Sequence, residues 1–350
     1  MEIFLVILSI LLIVAVFFSF IKNDFWIYKI LEYPRLQKLF LVSVVLILWL
    51  FWWPEELWYQ IVFAVLASAF VYLVYKILPY TKLAKKEMKQ VPSTDPSNEI
   101  KIFSANVLQE NRQYQRMLDQ INSYDPDIIF LLETDRAWAE ALKELGEKYR
   151  YHLLQPQANT YGLLFYSSLP LENASVQFLV KDDLPSIEAV IVLPSGKKMQ
   201  LWGLHPEPPV PGETLYSTAK DKELMKVAFK AKQCKLPCVV IGDLNDVAWS
   251  HTTELFRKTS ELLDPRRGRG FYSTFSAHHW YIRYPLDYIF CSSHFGLVFM
   301  TRLPKNGSDH FATFTHLALI EQLENEQEGP KASNKEKDEA NEMATKTVKE

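Results

Sequence analysis

Cysteine is scarce in this chain: among 350 residues there are three, Cys234, Cys238 and Cys291. An odd number in so long a chain excludes a disulfide framework and fits a reducing compartment. The Cys234 to Cys238 spacing has no second pair to complete a metal site, so these are read as inert buried thiols. An excess of either charge is also missing, with 38 Lys plus Arg against 41 Asp plus Glu. No global field recruits nucleic acid. Residues 3–21 and 57–75 lack charge, and residues 323–350 lack material for a core. No internal repeat is present. The hydrophobic fraction of 49% excludes a wholly disordered or fibrous chain, and the length allows one or two domains.

What is present begins with membrane-type sequence. The run Ile3 to Ile21, IFLVILSILLIVAVFFSFI, rises ~1.5 Å per residue and nearly spans a ~30 Å hydrocarbon layer. A cleaved signal peptide needs basic residues before the run and a small-residue site after it. Met1-Glu2-Ile3 and Phe20-Ile21-Lys22 offer neither, which predicts a retained helix. Leu57 to Tyr75 is as long, interrupted by Gln60. Between them Leu39 to Trp53 is shorter, with Trp49, Trp52 and Trp53 suited to an interfacial belt; a hairpin that enters and returns is the alternative.

Residues 1–78 are therefore expected to form three transmembrane helices. Their few polar groups exclude a transporter. The first loop carries Lys22, Lys29, Arg35 and Lys38; the second, Pro54-Glu55-Glu56, carries no base; Lys76, Lys82, Lys85, Lys86 and Lys89 follow the third helix. With three spans this predicts an external amino terminus and a cytoplasmic remainder. Residues 79–98 read as a basic, Pro/Ser-rich linker that can rest on anionic headgroups, and 323–350 as a disordered charged tail.

Residues 99–322 alternate short apolar runs with amphipathic stretches. Strands are expected at Ile100–Ala105, Ile128–Leu132, Gly162–Ser167, Ile187–Leu193, Met199–Leu204, Cys238–Ile241, Asp287–Cys291 and Phe311–Leu319. Helical stripes run through Tyr114, Met117, Leu118 and Ile121, through Trp138, Leu142, Leu145 and Tyr149, and around Leu215–Lys232. This is the pattern of a layered α/β domain with two packed sheets under outer helices. Polar residues stand at the strand ends: Asn106, Glu133, His205, Asp243 with Asn245 and Asp246, Asp287, and Asp309-His310. One such carboxylate is ordinarily a turn or cap residue. Six ends together point to a common rim, where sheet proteins hold ligands.

The segments SANVL, IIFLLETD, GLHPEPP, VVIGDLND, PLDYIF and SDHFATF, in that order over residues 99–320, resemble the endonuclease/exonuclease/phosphatase superfamily of metal-dependent phosphoesterases. The resemblance implies a four-layered α/β sandwich with two central sheets and says nothing about residues 1–98 or the tail. With the three expected helices the chain reads as a membrane-anchored member of bacterial type, in the inner or plasma membrane if bacterial. It implies that Glu133 is the main metal ligand, with Asn106 and Asp309 completing or orienting a site for Mg²⁺ or Mn²⁺. It implies catalytic places for Asp243 as the carboxylate at the attacking water, for Asn245 and His205 as donors to phosphate, and for His310 oriented by Asp287. Either Asp243 or His310 can serve as base. The chemistry needs these types: phosphate-ester hydrolysis requires neutralised nonbridging oxygens, an aligned water and a stabilised leaving oxygen. Mg²⁺ takes one or two carboxylates with water and phosphate oxygens.

Beyond the rim, Tyr161 is a candidate lining residue, and Arg266, Arg267 and Arg269 are candidate phosphate contacts, with packing and a solvated loop as the alternatives. Asp246 reads as a loop or cap residue. Leu108 occupies a position that is acidic in the apurinic-site endonuclease branch. Residues 98–322 hold 24 basic and 26 acidic residues, so the footprint of tight duplex binding is lacking. The expectation is a membrane-anchored phosphodiesterase or phosphatase acting on a nucleic acid, nucleotide, phospholipid headgroup or inositol phosphate. Its partners are that substrate and the bilayer, and no protein partner is implied. The alternative is a catalytically retired membrane scaffold on the same fold.

Overall fold

The computed structural model describes residues 2–53 and 55–349; Pro54, at the head of the second loop, lies outside them. Four helices open the chain: α1 (Glu2–Phe17), α2 (Trp26–Ile30), α3 (Arg35–Phe51) and α4 (Leu57–Ile77). Leu5, Leu12, Val42, Val45, Trp49, Leu66, Ala69 and Leu73 bury one another where α1, α3 and α4 meet. Their outward faces leave Phe4, Leu11, Phe40, Phe51, Leu57 and Val71 exposed, an apolar exterior. Segments 2–20 and 57–80 are long and apolar enough to cross a membrane.

The expected middle span, Leu39 to Trp53, is corrected: α3 has 17 residues and is not long and apolar enough to cross a membrane by itself. Its first turn is not apolar and faces inward. Arg35 Nη1 donates to the Trp249 carbonyl at 2.6 Å, and Lys38 Nζ to those of Ala15 and Leu31 at 2.5 and 2.6 Å. What remains from Leu39 is too short to cross ~30 Å unaided.

The remaining elements build two sheets. In chain order they are β1 (Glu99–Asn106), α5 (Tyr114–Tyr124), β2 (Ile128–Leu132), α6 (Arg136–Ala141), α7 (Leu145–Lys148), β3 (Tyr151–Gln155), β4 (Leu163–Ser167), β5 (Leu171–Gln177), β6 (Ser186–Val192) and β7 (Lys198–Leu204). After them come α8 (Thr218–Gln233), β8 (Cys238–Asp243), α9 (His251–Ser260), β9 (Asp287–Cys291), β10 (Phe295–Arg302), β11 (Thr313–Leu319) and α10 (Asn334–Thr345). One sheet runs β10-β11-β1-β2-β4-β3 and the other β5-β6-β7-β8-β9. Both are mixed, with β1/β2 and β7/β8 parallel.

Alternation of the strand residues divides the core. Ile102, Phe130, Phe165, Ile187, Leu201 and Ile241 fill the space between the sheets. Phe103, Ile129 and Leu131 point the other way onto Met117, Ile121 and Trp138 of α5 and α6. Trp202, Val240 and Phe290 point onto Leu224, Ala228 and Phe256 of α8 and α9. This inward/outward alternation follows from the period of two along a strand.

Two segments read as linker and tail are packed against this domain. In residues 79–98, Tyr80 and Met88 are buried, and Gln90 bridges β10 at Leu297. Glu87 accepts from Arg257 Nη2 at 2.6 Å. The tail forms α10 instead of staying solvated. Ser333 and Glu336 make a capping box, and Ala340, Met343 and Ala344 lie on the core under α8 and α9. Its charges find distant partners, Lys258 for Glu336 and Lys22 for Glu339. An apolar seam of three residues and long-range pairs leave little trace in composition.

Candidate active site

The sheet registers bring the strand-end polar residues together. In the parallel pair β1/β2, Asn106 lies level with Leu132, which puts Glu133 just beyond. In the antiparallel pair β8/β9, Asp243 stands opposite Asp287. In β7/β8, Leu204 stands opposite Gly242. A Cβ on Gly242 would lie 1.9 Å from the Leu204 carbonyl oxygen, and its φ of 139° is one that side chains avoid. Glycine there lets β8 close on β7 and deliver Asp243 to the rim.

A chain of contacts crosses the rim. Asn106 Nδ2 donates to Glu133 Oε1 at 2.6 Å and to Asp243 Oδ2 at 3.2 Å. Asp243 Oδ2 is 3.6 Å from His310 Nε2, and His310 Nδ1 is 2.8 Å from Asp287 Oδ2. Asn245 N–H donates to Asp243 Oδ1 at 2.9 Å, while its side-chain amide donates to the Pro206 carbonyl at 2.9 Å. Ser308 Oγ donates to the Asn106 carbonyl at 2.8 Å and accepts from His310 N–H at 3.0 Å, fixing β1 to the turn before β11.

Glu133 and Asn245 hold positive φ angles of 58° and 48° without being glycine. Such backbone costs roughly 1–3 kcal/mol and gathers at functional sites.

The electrostatics follow from burial and crowding. Burial works against charge on His310, and Asp287 and Asp243 overcome it, raising its pKa to about 10. The imidazole is thus a held cation with both nitrogens directed at carboxylates. Burial, then the Asp287 charge, pushes the Asp243 carboxyl up. Burial likewise raises Glu133, to about 7, with Asp243 and Asp309 adding repulsion. His205, buried beside His310, is lowered to about 3 and is neutral; its Nδ1 has no partner. Its ring lies 5.4 Å from that of Tyr161, whose hydroxyl donates to Glu213 at 2.7 Å.

Crowded hard oxygens that resist ionisation are the donor chemistry a small divalent cation relieves. Glu133 fits, because its carboxylate has Asn106 as its one hydrogen-bond partner among the described residues. Asp309 is near enough to raise Glu133. Asn106 turns its amide nitrogen to the carboxylates, and its oxygen accepts from Leu108 N–H at 3.1 Å. Asp243, Asp287 and His310 also cluster, with ligand atoms within 4.8 Å of one another. There the histidine already supplies the positive charge.

The three arginines are not at the cleft. Arg266 is buried on Asp264 and over the Tyr288 ring. Arg267 pairs with Glu87 and Glu254, and Arg269 donates to the Met88 and Pro265 carbonyls. Arg267 and Arg269 secure segment 79–90, while Arg266 Nη1 donates to the Asp287 carbonyl at 3.1 Å from behind the rim. Asp246 pairs with Lys220 at 2.7 Å, a structural role.

Two neighbours of the site carried no motif signal. Tyr33, in the loop after α2, donates its hydroxyl to the Asn245 carbonyl at 2.8 Å. The Phe275 ring lies 5.1 Å from that of His310.

The model of the endonuclease/exonuclease/phosphatase family matches residues 102–310, from β1 to His310. The chain belongs to this family. Its members are hydrolases acting on phosphate esters, and this chain is one of them. Solved structures share the fold at low identity. D. rerio TDP2 complexed with single strand DNA product is 16% identical, over 63% of this chain and 98% of that one, with a TM-score of 0.52. The human Nocturnin catalytic domain with bound sulfate anion is 18% identical, over 65% and 97%, at 0.51. An endonuclease/exonuclease/phosphatase from Beutenbergia cavernae is 15% identical, over 64% and 72%, at 0.50. No curated protein matches the chain.

Proposed function

We propose that the protein is a membrane-anchored, divalent-metal-dependent phosphoesterase that hydrolyses its ester by direct attack of water. The observation that carries this reading is the unbroken run Glu133–Asn106–Asp243–His310–Asp287 along one rim. Glu133 and Asp309 would hold a Mg²⁺ ion, which would supply neutralisation of the nonbridging oxygens and of the leaving oxygen. Asp243 accepts the proton of the attacking water, its carboxyl being fixed by Asn245 N–H and Asn106. His310, kept cationic by Asp287, donates to phosphate oxygen. His205 adds a neutral donor from the other sheet, and Asn245 a second amide hydrogen.

Anchoring is supported by the apolar exterior of α1, α3 and α4 and by the two segments of membrane-spanning length. The basic loop after α1 and the basic start of segment 79–98 lie on the side of the catalytic domain, which favours its cytoplasmic placement.

Metal binding separates an enzyme from a retired scaffold. Full-length protein in detergent is expected to gain thermal stability on Mg²⁺ or Mn²⁺ addition, and Glu133→Gln is expected to lose that gain. A shift of equal size in the variant contradicts the assigned ligand, and no shift in either protein favours the scaffold.

A further inference from the structure

Residues 275–284 form a narrow hairpin that links the catalytic histidine to the membrane helices. Phe275 and Tyr284 pair antiparallel at its base, and Phe275 also bridges His310. The Tyr284 ring meets that of Tyr33 edge-on at 5.4 Å. At the tip, Gln37 Nε2 donates to the Tyr281 carbonyl at 2.8 Å. Gln37 stands in the first turn of α3, just before the apolar stretch that begins at Leu39. A backbone tied to that turn lies at the depth where the helix leaves water.

The tip carries residues suited to that depth. Trp280 is 82% exposed and Tyr281 55% exposed. Large aromatics with a polar edge concentrate at the headgroup level, where the ring meets hydrocarbon and the polar edge meets water. The hairpin carries positive charge in Arg283, and Arg302, at the end of β10, meets it at the Phe311 ring. The guanidinium groups of Arg283 and Arg302 stack on the Phe311 ring, at 4.8 and 4.0 Å. They donate to the carbonyls of His279 and Ser273. Among the described residues neither has a carboxylate partner, unlike Arg257, Arg266 and Arg267. Unneutralised arginines beside exposed aromatics match an anionic bilayer surface.

We infer that the tip of this hairpin is an interfacial foot that seats the catalytic cleft on the bilayer, so that the phosphate ester it hydrolyses belongs to a membrane lipid headgroup. The inference rests on the phosphoesterase reading and on α1 and α4 crossing the membrane. Through Gln37 and Phe275 the foot joins the membrane helices to His310, which holds the rim at a fixed height above the lipid.

The test uses full-length protein in phosphatidylcholine nanodiscs containing phosphatidic acid, phosphatidylglycerol or phosphatidylinositol phosphate. Release of phosphate or headgroup is compared with hydrolysis of glycerol phosphate and of bis(p-nitrophenyl) phosphate in solution. The expected result is preference for a lipid over its free headgroup. Trp280→Ala with Tyr281→Ala is expected to lower the lipid-to-soluble ratio about tenfold. An unchanged ratio, or equal turnover of lipid and free headgroup, overturns the inference. Absence of metal-dependent turnover on every substrate overturns the phosphoesterase reading instead. The seating is then decided by quenching of tryptophan fluorescence with brominated lipid. It is expected to be weaker in Trp280→Phe than in the parent, and quenching equal to the parent's overturns the foot whatever the chemistry.

Discussion

The Tyr33 hydroxyl donates to the Asn245 carbonyl at 2.8 Å, so the loop between α2 and α3 reaches the rim of strand ends. Asn245 sits at a φ of 48°, and its N–H holds Asp243 Oδ1. On the proposed reading, in which Asp243 accepts the proton of the attacking water, Tyr33 is a positioning residue for that carboxylate. Removing one such bond costs about 1 kcal/mol, near a fivefold change in rate. Tyr33→Phe is expected to lower kcat by about that factor with KM kept, as steady-state kinetics will show. Unchanged kcat contradicts the role.

Asp287 fixes the ring of His310 through Nδ1 and keeps it cationic. Asp287→Asn keeps the shape and removes the charge. Turnover is expected to fall roughly 10²–10⁴-fold. The Mg²⁺-induced thermal shift should persist, because Glu133 is untouched. Loss of both would place Asp287 among the metal ligands.

Arg257 has a 2% exposed side chain and pairs with Glu87 and Glu254. Breaking a buried pair by removing one partner costs about 3–5 kcal/mol. Because Glu254 remains, Glu87→Ala is expected near the lower end, about 3 kcal/mol, measured by denaturant unfolding of the full chain. By the same logic a fragment starting at residue 92 loses Glu87, Tyr80 and Met88 together. It should be unstable, which makes the full chain the right material for assays.

The helix α10 is held by carboxylates. Burial works to raise the Glu336 pKa, and Lys258 with the Ser333 bonds outweighs it, holding it down to about 2. Lys22 and His251 lower Glu339 in the same way against burial. A depressed folded value means that docking is fully stabilised above the ordinary value of 4.5 and weakened as pH falls toward 2. Hydrogen exchange of residues 334–345, corrected for intrinsic rate, should show loss of protection between these values. Glu336→Gln should loosen the helix already at neutral pH. Protection independent of pH would contradict the tie to Lys258.

The expected strands between Ile100 and Leu319 were legible because their apolar runs are short and end in polar residues of fixed type. For the same reason the sequence alone points Asn106, Glu133, His205, Asp243, Asp287 and His310 to one rim. What was not legible depends on partners far apart in the chain. Arg266 resembles a free loop arginine until Asp264 and Tyr288 close around it. The seam of Ala340, Met343 and Ala344 is too sparse to stand out from a Glu/Lys-rich tail. The middle segment, expected as a short span from Leu39 to Trp53, differs because α3 starts at Arg35, and Arg35 and Lys38 turn inward to the domain and the first loop. Leu171–Gln177, half-buried at a sheet edge, lacks the apolar run of a central strand.

The central claim is tested most directly by the hydrolysis of bis(p-nitrophenyl) phosphate and p-nitrophenyl phosphate by full-length protein in detergent, with and without Mg²⁺, beside Asp243→Ala. The account predicts metal-dependent turnover of at least one ester and its loss, by roughly 10²-fold or more, in the variant. Turnover that persists in Asp243→Ala, or that ignores the metal, would contradict it.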